Sequence, residues 1–423
     1  MKTNEDQPMR NQLRRDLTLI DAIGVGLGAI IGAGIFVVTG VAAGVAGPAF
    51  LLGMLIAAGV ATCNALSSAQ LAATYPQSGG TYEYGYRLLH PWLGFAAGWM
   101  FLASKLAAGG TVALGFAGYL AALIPGLPER PTAVAAIILL VGVNYFGVSK
   151  GGRLNTIIVS ITLAALGYFV IAGIPAFDSN NLRPFAPAGW QGVLQSAALL
   201  FFAYTGYARL ATLGEEVHEP KVTIPRAIVI ALGTAALLYA AVALVAVGGV
   251  GADAMAGTAS PLERAAAAFT LPGIGLVIGL GAVTAMLGVL LSQILGISRM
   301  AFAMARRRDF PTFFDHVNPA YGVPDRGLFL TGLILILVAV FGTLEVIVAA
   351  ASFTILLYYS ITNLAALRMD TADRLFPQWI AVLGLVSCLT LAVTLSPPII
   401  ASGLGLLAIG FVLRWFYRQA TQV

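Results

Sequence analysis

The chain has 423 residues, 59% of them hydrophobic and 10% charged, and a formal net charge of +5. Soluble proteins carry roughly 25% charge, and no polar stretch here is long enough to build a separate domain, so a soluble enzyme on a single anchor is excluded. The basic excess sits between apolar segments, as topology signals do, and is not a nucleic-acid surface.

Twelve apolar segments are long enough to span a bilayer: 17–46, 48–73, 91–122, 131–148, 154–174, 190–214, 225–250, 273–305, 327–342, 345–367, 378–395 and 398–416. The pattern predicts an all-α polytopic membrane protein with twelve transmembrane helices. Residues 1–16 form a polar cytoplasmic segment, 17–367 a core of ten spans, 378–416 two peripheral spans and 417–423 a cytoplasmic tail. The first apolar run is too long for a signal-peptide core and is read as a retained span. With both termini in the cytoplasm, 17 Lys and Arg fall inside and 3 outside (Arg130, Arg183 and Arg264), a positive-inside bias that fixes the orientation. Cys63 and Cys388 lie within apolar segments as small core residues, and His90, His218 and His316 stand in separate loops without zinc spacing. No metal or cofactor is expected.

The first span is too long for a straight crossing and carries Gly28-Ala-Ile-Ile-Gly-Ala-Gly-Ile-Phe36. A break at Gly32-Ala33-Gly34 leaves the amides of the following half-helix without partners, a positive end suited to a carboxylate. Ile30 and Ile31 close the preceding half with carbonyls suited to an ammonium group. The alternative is packing, since Gly24, Gly28 and Gly32 are spaced four apart. In the third span Lys105 lies near mid-bilayer, where a charged lysine costs about 2.5–3.5 kcal/mol and needs a partner or a role.

The sixth span is interrupted in the same way at Ala203-Tyr204-Thr205-Gly206, after Phe202, adding carbonyls to the site. Laying spans 1–5 over 6–10 gives two five-helix units, the second inverted, each with a broken first helix. Together the breaks match an ammonium and a carboxylate one carbon apart, an α-amino acid. Arg209 follows the second break, within reach of Glu215 and Glu216, and the three are read as an inner gate; simple snorkelling of Arg209 is the alternative. Ser260-Pro261-Leu262-Glu263 reads as a capping box opening a short helix on the outer face, either an extracellular lid or a surface helix.

With these residues the chain resembles the amino acid–polyamine–organocation transporters. The likeness rests on Gly28 to Phe36, Pro76-Gln-Ser-Gly-Gly-Thr-Tyr-Glu-Tyr84, Phe202-Ala-Tyr-Thr-Gly-Tyr207, Gly214-Glu-Glu-Val217, Pro225-Arg-Ala-Ile228 and Arg299-Met-Ala-Phe-Ala-Met-Ala-Arg306. The Gly214 element and the first-span motif are most similar to the cationic amino acid transporter branch and its bacterial relatives. The resemblance implies a five-plus-five inverted repeat with alternating access. It puts the substrate carboxylate on Gly32, Ala33 and Gly34, the ammonium on carbonyls near Ile30, Phe202, Ala203 and Thr205, and an aromatic gate at Phe202.

Three departures qualify it. Ala33 stands where relatives often carry Ser or Thr, Ala208 where some have an acid, and Thr162 where several proton-coupled relatives place a lysine. Lys105 is read as the replacement cation, titrating with transport or fixed; a lysine satisfied by backbone carbonyls with no coupling role is the alternative. Sodium coupling is disfavoured, because Thr284 and Ser292 in the eighth span are isolated. The expectation is a non-enzymatic plasma-membrane permease, proton-coupled or exchanging, for neutral amino acids. A cationic amino acid or polyamine carrier is the alternative, with an amino-acid sensor or a channel as the remaining rivals.

Overall fold

The computed structural model describes residues 17–75, 79–147, 152–211 and 217–420. These residues are helical almost throughout, and among them no strand forms beyond an isolated bridge between Leu17 and Val217.

The chain enters through α1 (Leu19–Ile30), started by a capping box in which the Thr18 hydroxyl accepts from the Asp21 amide while the Asp21 carboxylate accepts from Thr18. The helix stops at Ile31 and Gly32, restarts as a π-helical turn at Gly34–Val38, and continues as α2 (Thr39–Ala46). Gly47, at φ 59°, turns the chain toward α3 (Phe50–Thr74). A one-turn α4 (Thr81–Tyr84) precedes the long α5 (Pro91–Leu123), which begins on Pro91 with the His90 ring accepting from the Trp92 amide.

Next come α6 (Glu129–Tyr145), α7 (Gly152–Gly173) and α8 (Gly189–Tyr204). A 3-10 turn at Thr205–Tyr207 joins α8 to the short α9 (Ala208–Ala211). Beyond lie α10 (Pro220–Val250), the small α11 (Ala252–Met255) and α12 (Pro261–Ala266), then α13 (Ile274–Arg306), α14 (Asp325–Phe341), α15 (Leu344–Leu367), α16 (Gln378–Thr394) and α17 (Pro397–Ala420).

Helices occupy all twelve expected segments, and the division at Gly342-Thr343 falls between α14 and α15. Seven described stretches are long and apolar enough to cross a membrane; the first, Leu19–Thr74, runs 56 residues and contains the break. By contrast α6, α8, α14 and α16 have only 16 or 17 residues, the lower edge of a crossing. Leu55, Ile138, Leu237, Phe341 and Val393 point outward and exposed, a surface that only lipid or other protein would cover.

At the centre α5 packs against α13 and α15, while α3 packs on α8 and α10, and α1 on α10 and α7. The two interrupted segments therefore meet inside the bundle. The glycine expectation holds only in part. Gly24 faces open space, whereas a Cβ on Gly28 would meet Asn155 and Val159, and one on Gly32 would lie 2.9 Å from Val289. Gly26, between them, packs against Leu210 and Ala231.

At Ser260 the structure corrects the sequence reading. α12 starts on Pro261 as expected, but no Ser260 side-chain cap forms. Instead the Tyr119 hydroxyl, reaching from α5, accepts from the Leu262 amide at 3.2 Å. A distant side chain thus supplies the cap that a local pattern seemed to provide.

Candidate functional site

The two breaks lie back to back. A Cβ on Gly34 would stand 2.5 Å from the Ala203 backbone, and one on Gly206 would collide with the Ala29 carbonyl. Each glycine is the gap through which the opposite interrupted backbone makes its close approach. The first break is a true interruption. The second is milder, a tightening to a 3-10 turn rather than an extended stretch.

Gly32 carries the first carbonyl of the new half-helix, accepting from the Phe36 amide at 3.3 Å. The amides of Ala33, Gly34 and Ile35 open that half-helix and have no carbonyl one turn back to bond. Carbonyls freed at a break inside a membrane must find donors in the protein, and buried tyrosines provide them. The Tyr239 hydroxyl donates to Ile30 at 2.8 Å, Tyr119 to Phe36 at 2.7 Å and Tyr359 to Thr205 at 3.4 Å. The Phe202 carbonyl accepts both the amide and the hydroxyl of Thr205, which fills its two lone pairs. The Thr205 carbonyl likewise accepts from the Ala208 amide as well as from Tyr359, so of the carbonyls expected to hold an ammonium Phe202 and Thr205 are filled, and Ile30 keeps one acceptor position.

A cavity of about 30 Å³ lies between the breaks, with Ala29, Ile30, Gly32, Ala33 and Gly34 on one wall and Phe202, Ala203, Thr205 and Gly206 on another. Lys105 of α5 and Gln293 of α13 complete it, with Val112 and Val289. Nine of the anticipated residues, Lys105 included, are thus brought to one place. Ile31 and Tyr204 do not line the cavity; Ile31 caps α1, and Tyr204 packs on Tyr239 with its hydroxyl 3.4 Å from the Met54 carbonyl. Gln293 went unremarked in the sequence, where one amide in an apolar helix makes no pattern. Thr162 lies on α7 away from the cavity, its hydroxyl bonded to the Ile158 carbonyl.

Lys105 has no ion pair or hydrogen bond among the described residues; its ammonium lies 5.7 Å from the Phe101 ring centroid. A second cavity, about 220 Å³, opens beside the 257–259 segment that leads into α12, between Val41, Leu114, Glu129, Arg130, Thr258 and Glu345. Arg209 sits on α9, while Glu215 and Glu216 lie outside the described residues.

A charged cluster at one end of the bundle was not anticipated. Asp309, wholly buried in the turn after α13, accepts from Arg414 at 2.8 Å, Arg418 at 2.9 Å and the hydroxyls of Tyr82 at 2.8 Å and Tyr86. Burial and the Asp309 carboxylate push the Tyr86 hydroxyl up to about 12, so it remains a donor. Beside it Glu83 pairs with Arg87 at 2.6 Å and with Arg307. Arg414, buried in α17, also stacks over Trp92 and Phe95. Arg307 and Arg414, read from sequence as topology signals, are structural partners here.

A helical membrane bundle with interrupted helices facing each other across an interior cavity defines an integral membrane transporter of small molecules. The amino acid permease model matches residues 21–417, and the chain belongs to that family. It is 40% identical over 418 residues to an uncharacterized transporter of Mycobacterium tuberculosis, covering 97% of this chain and 94% of that one. It is 32% identical to the methylthioribose transporter of Bacillus subtilis (84% and 82%) and 32% identical to human cationic amino acid transporter 4 (88% and 63%).

Proposed function

We propose that this protein is a secondary carrier of α-amino acids with neutral side chains, working by alternating access between five-plus-five inverted repeats. The observation that carries this reading is the shared cavity of the two breaks, with the opening amides of a half-helix on one side and carbonyls of the other break on the other. In this reading twelve helices cross the cell membrane and both termini face the cytoplasm. The substrate carboxylate rests on the amides of Ala33 and Gly34 with Gly32 alongside. Its ammonium takes the remaining acceptor position of Ile30 and the Ala203 carbonyl, and Phe202 closes over it.

A cavity of about 30 Å³ has room for roughly one water molecule, so the walls part to admit a substrate. Motion of the two backbones across Gly34 and Gly206 is the step that opens it. Lys105 argues against a cationic side chain despite the kinship with a cationic amino acid transporter, because like charges in a low-dielectric pocket repel. We assign it the coupling role, as a site that exchanges protons with transport. Arg209 with Glu215 and Glu216 forms the inner gate, and α12 the outer lid over the larger cavity. No chemical conversion is expected, in keeping with a family of permeases.

The test is saturable counterflow of labelled amino acids by purified protein in liposomes. Ohmic ion current without counterflow would point to a channel, and binding without counterflow to a sensor. A ligand present at 100 times its Kd should stabilise the protein by about 2.7 kcal/mol, so a thermal-shift screen identifies candidates first. Lys105→Gln transport with unchanged pH dependence and affinity would remove the coupling role.

A further inference from the structure

Two polar groups of the cavity belong to neither break. Lys105 reaches it from α5 without an ionic partner among the described residues. Gln293 reaches it from α13, and its side-chain oxygen Oε1 is buried with no donor among the described residues. That oxygen lies against Gly109, where a Cβ would stand 3.5 Å away, one helical turn beyond Lys105 on α5. The cavity therefore presents an unmet donor and an unmet acceptor from two helices other than the broken ones, in otherwise apolar surroundings of Val112 and Val289. An unsatisfied buried polar group is costly, and a ligand that satisfies it is selected over one that does not.

We propose that Lys105 and Gln293 form a side-chain subsite that selects amino acids ending in a carboxamide. The amide oxygen of the substrate accepts from Lys105 Nζ, and its N–H donates to Gln293 Oε1. Aliphatic and charged side chains fail at one or both of the two groups, and a hydroxyl, with a single O–H on a single oxygen, must serve both from one atom. An aliphatic chain leaves both unmet. A carboxylate satisfies Lys105 but brings no donor to Gln293. An ammonium or guanidinium serves Gln293 but meets the Lys105 charge. This inference rests on the transport reading above and narrows its substrate class.

The experiment is competition against counterflow in liposomes containing the full chain, with glutamine, asparagine, glutamate, leucine and lysine as competitors. Glutamine or asparagine should compete at concentrations roughly tenfold or more below leucine, as a charge-assisted hydrogen bond would give. Gln293→Leu should bring leucine and glutamine to parity. Should that variant not fold, Gln293→Glu, which keeps the shape and gives Lys105 a carboxylate, should weaken carboxamide competition by the same order. Leucine, glutamate or lysine competing best, with a ranking that neither substitution changes, would overturn the subsite while leaving transport intact. Absence of counterflow with every amino acid would instead overturn the transport reading on which the subsite depends.

Discussion

Two buried polar regions of this protein are built on opposite terms. Around Asp309 every group is met: two arginines and two tyrosine hydroxyls converge on one carboxylate, with Glu83, Arg87 and Arg307 alongside. In the mid-bundle cavity Lys105 has no ion pair and Gln293 Oε1 no donor among the described residues, and the amides of Ala33 and Gly34 open a half-helix. A saturated network fixes the geometry of the elements it joins, here the segment before α5, the turn after α13 and the end of α17. An unsaturated one keeps interaction free energy in reserve for a ligand. The contrast predicts that substitution in the first region is felt in stability, and in the second region in binding.

The largest effect should come from Asp309→Ala. It leaves the buried Arg414 without its carboxylate, and breaking such a pair costs about 3–5 kcal/mol; thermal unfolding should show the loss while ligand affinity per folded molecule stays unchanged. Gly206→Ala tests whether the cavity's backbone is as intolerant as the cluster. The added Cβ meets the Ala29 carbonyl, an overpacking worth about 1–3 kcal/mol, and ligand-induced stabilisation should vanish with it. Gly24→Ala, in open space on α1, should instead stabilise by about 0.5–1 kcal/mol. Lys105→Met gives the most direct contrast: removing an unpaired cation should raise the unfolding temperature, equivalent to about 1 kcal/mol, while weakening substrate binding. A fall in stability there would mean that Lys105 is held as firmly as Arg414. Arg87→Ala, at a partly exposed pair with Glu83, should cost no more than about 1 kcal/mol.

The membrane class, the helical segments and the first break are legible in the sequence because each leaves a local signature: an apolar run of bilayer length, a cluster of glycines, a lysine far from either end of its span. The tyrosines that serve the freed carbonyls carry no such mark. Tyr239 and Ile30 are joined across 209 positions, and Tyr359 and Thr205 across 154. The Asp309 cluster draws on residues from 82 to 418, and a sequence shows its arginines only as charges near a span end. Ser260 illustrates the opposite failure, since its local pattern is complete and a hydroxyl from α5 supplants it. The second break reads more strongly in sequence than it folds, because a 3-10 tightening and the Thr205 hydroxyl absorb the interruption locally.

The single oxygen of Tyr119 joins two parts of the molecule that the chain separates by more than 200 residues. It donates to the Phe36 carbonyl in the π-helical turn and accepts from the Leu262 amide at the head of α12. Rotation of the turn drags that oxygen, and lifting of α12 pulls on the same atom from the other side. The cap and the broken helix are thus geared together through one phenol. Tyr119→Phe would sever both bonds without disturbing the packing of the ring against Phe36, and, if α12 is the outer lid proposed above, would leave that lid free to move out of step with the broken helix.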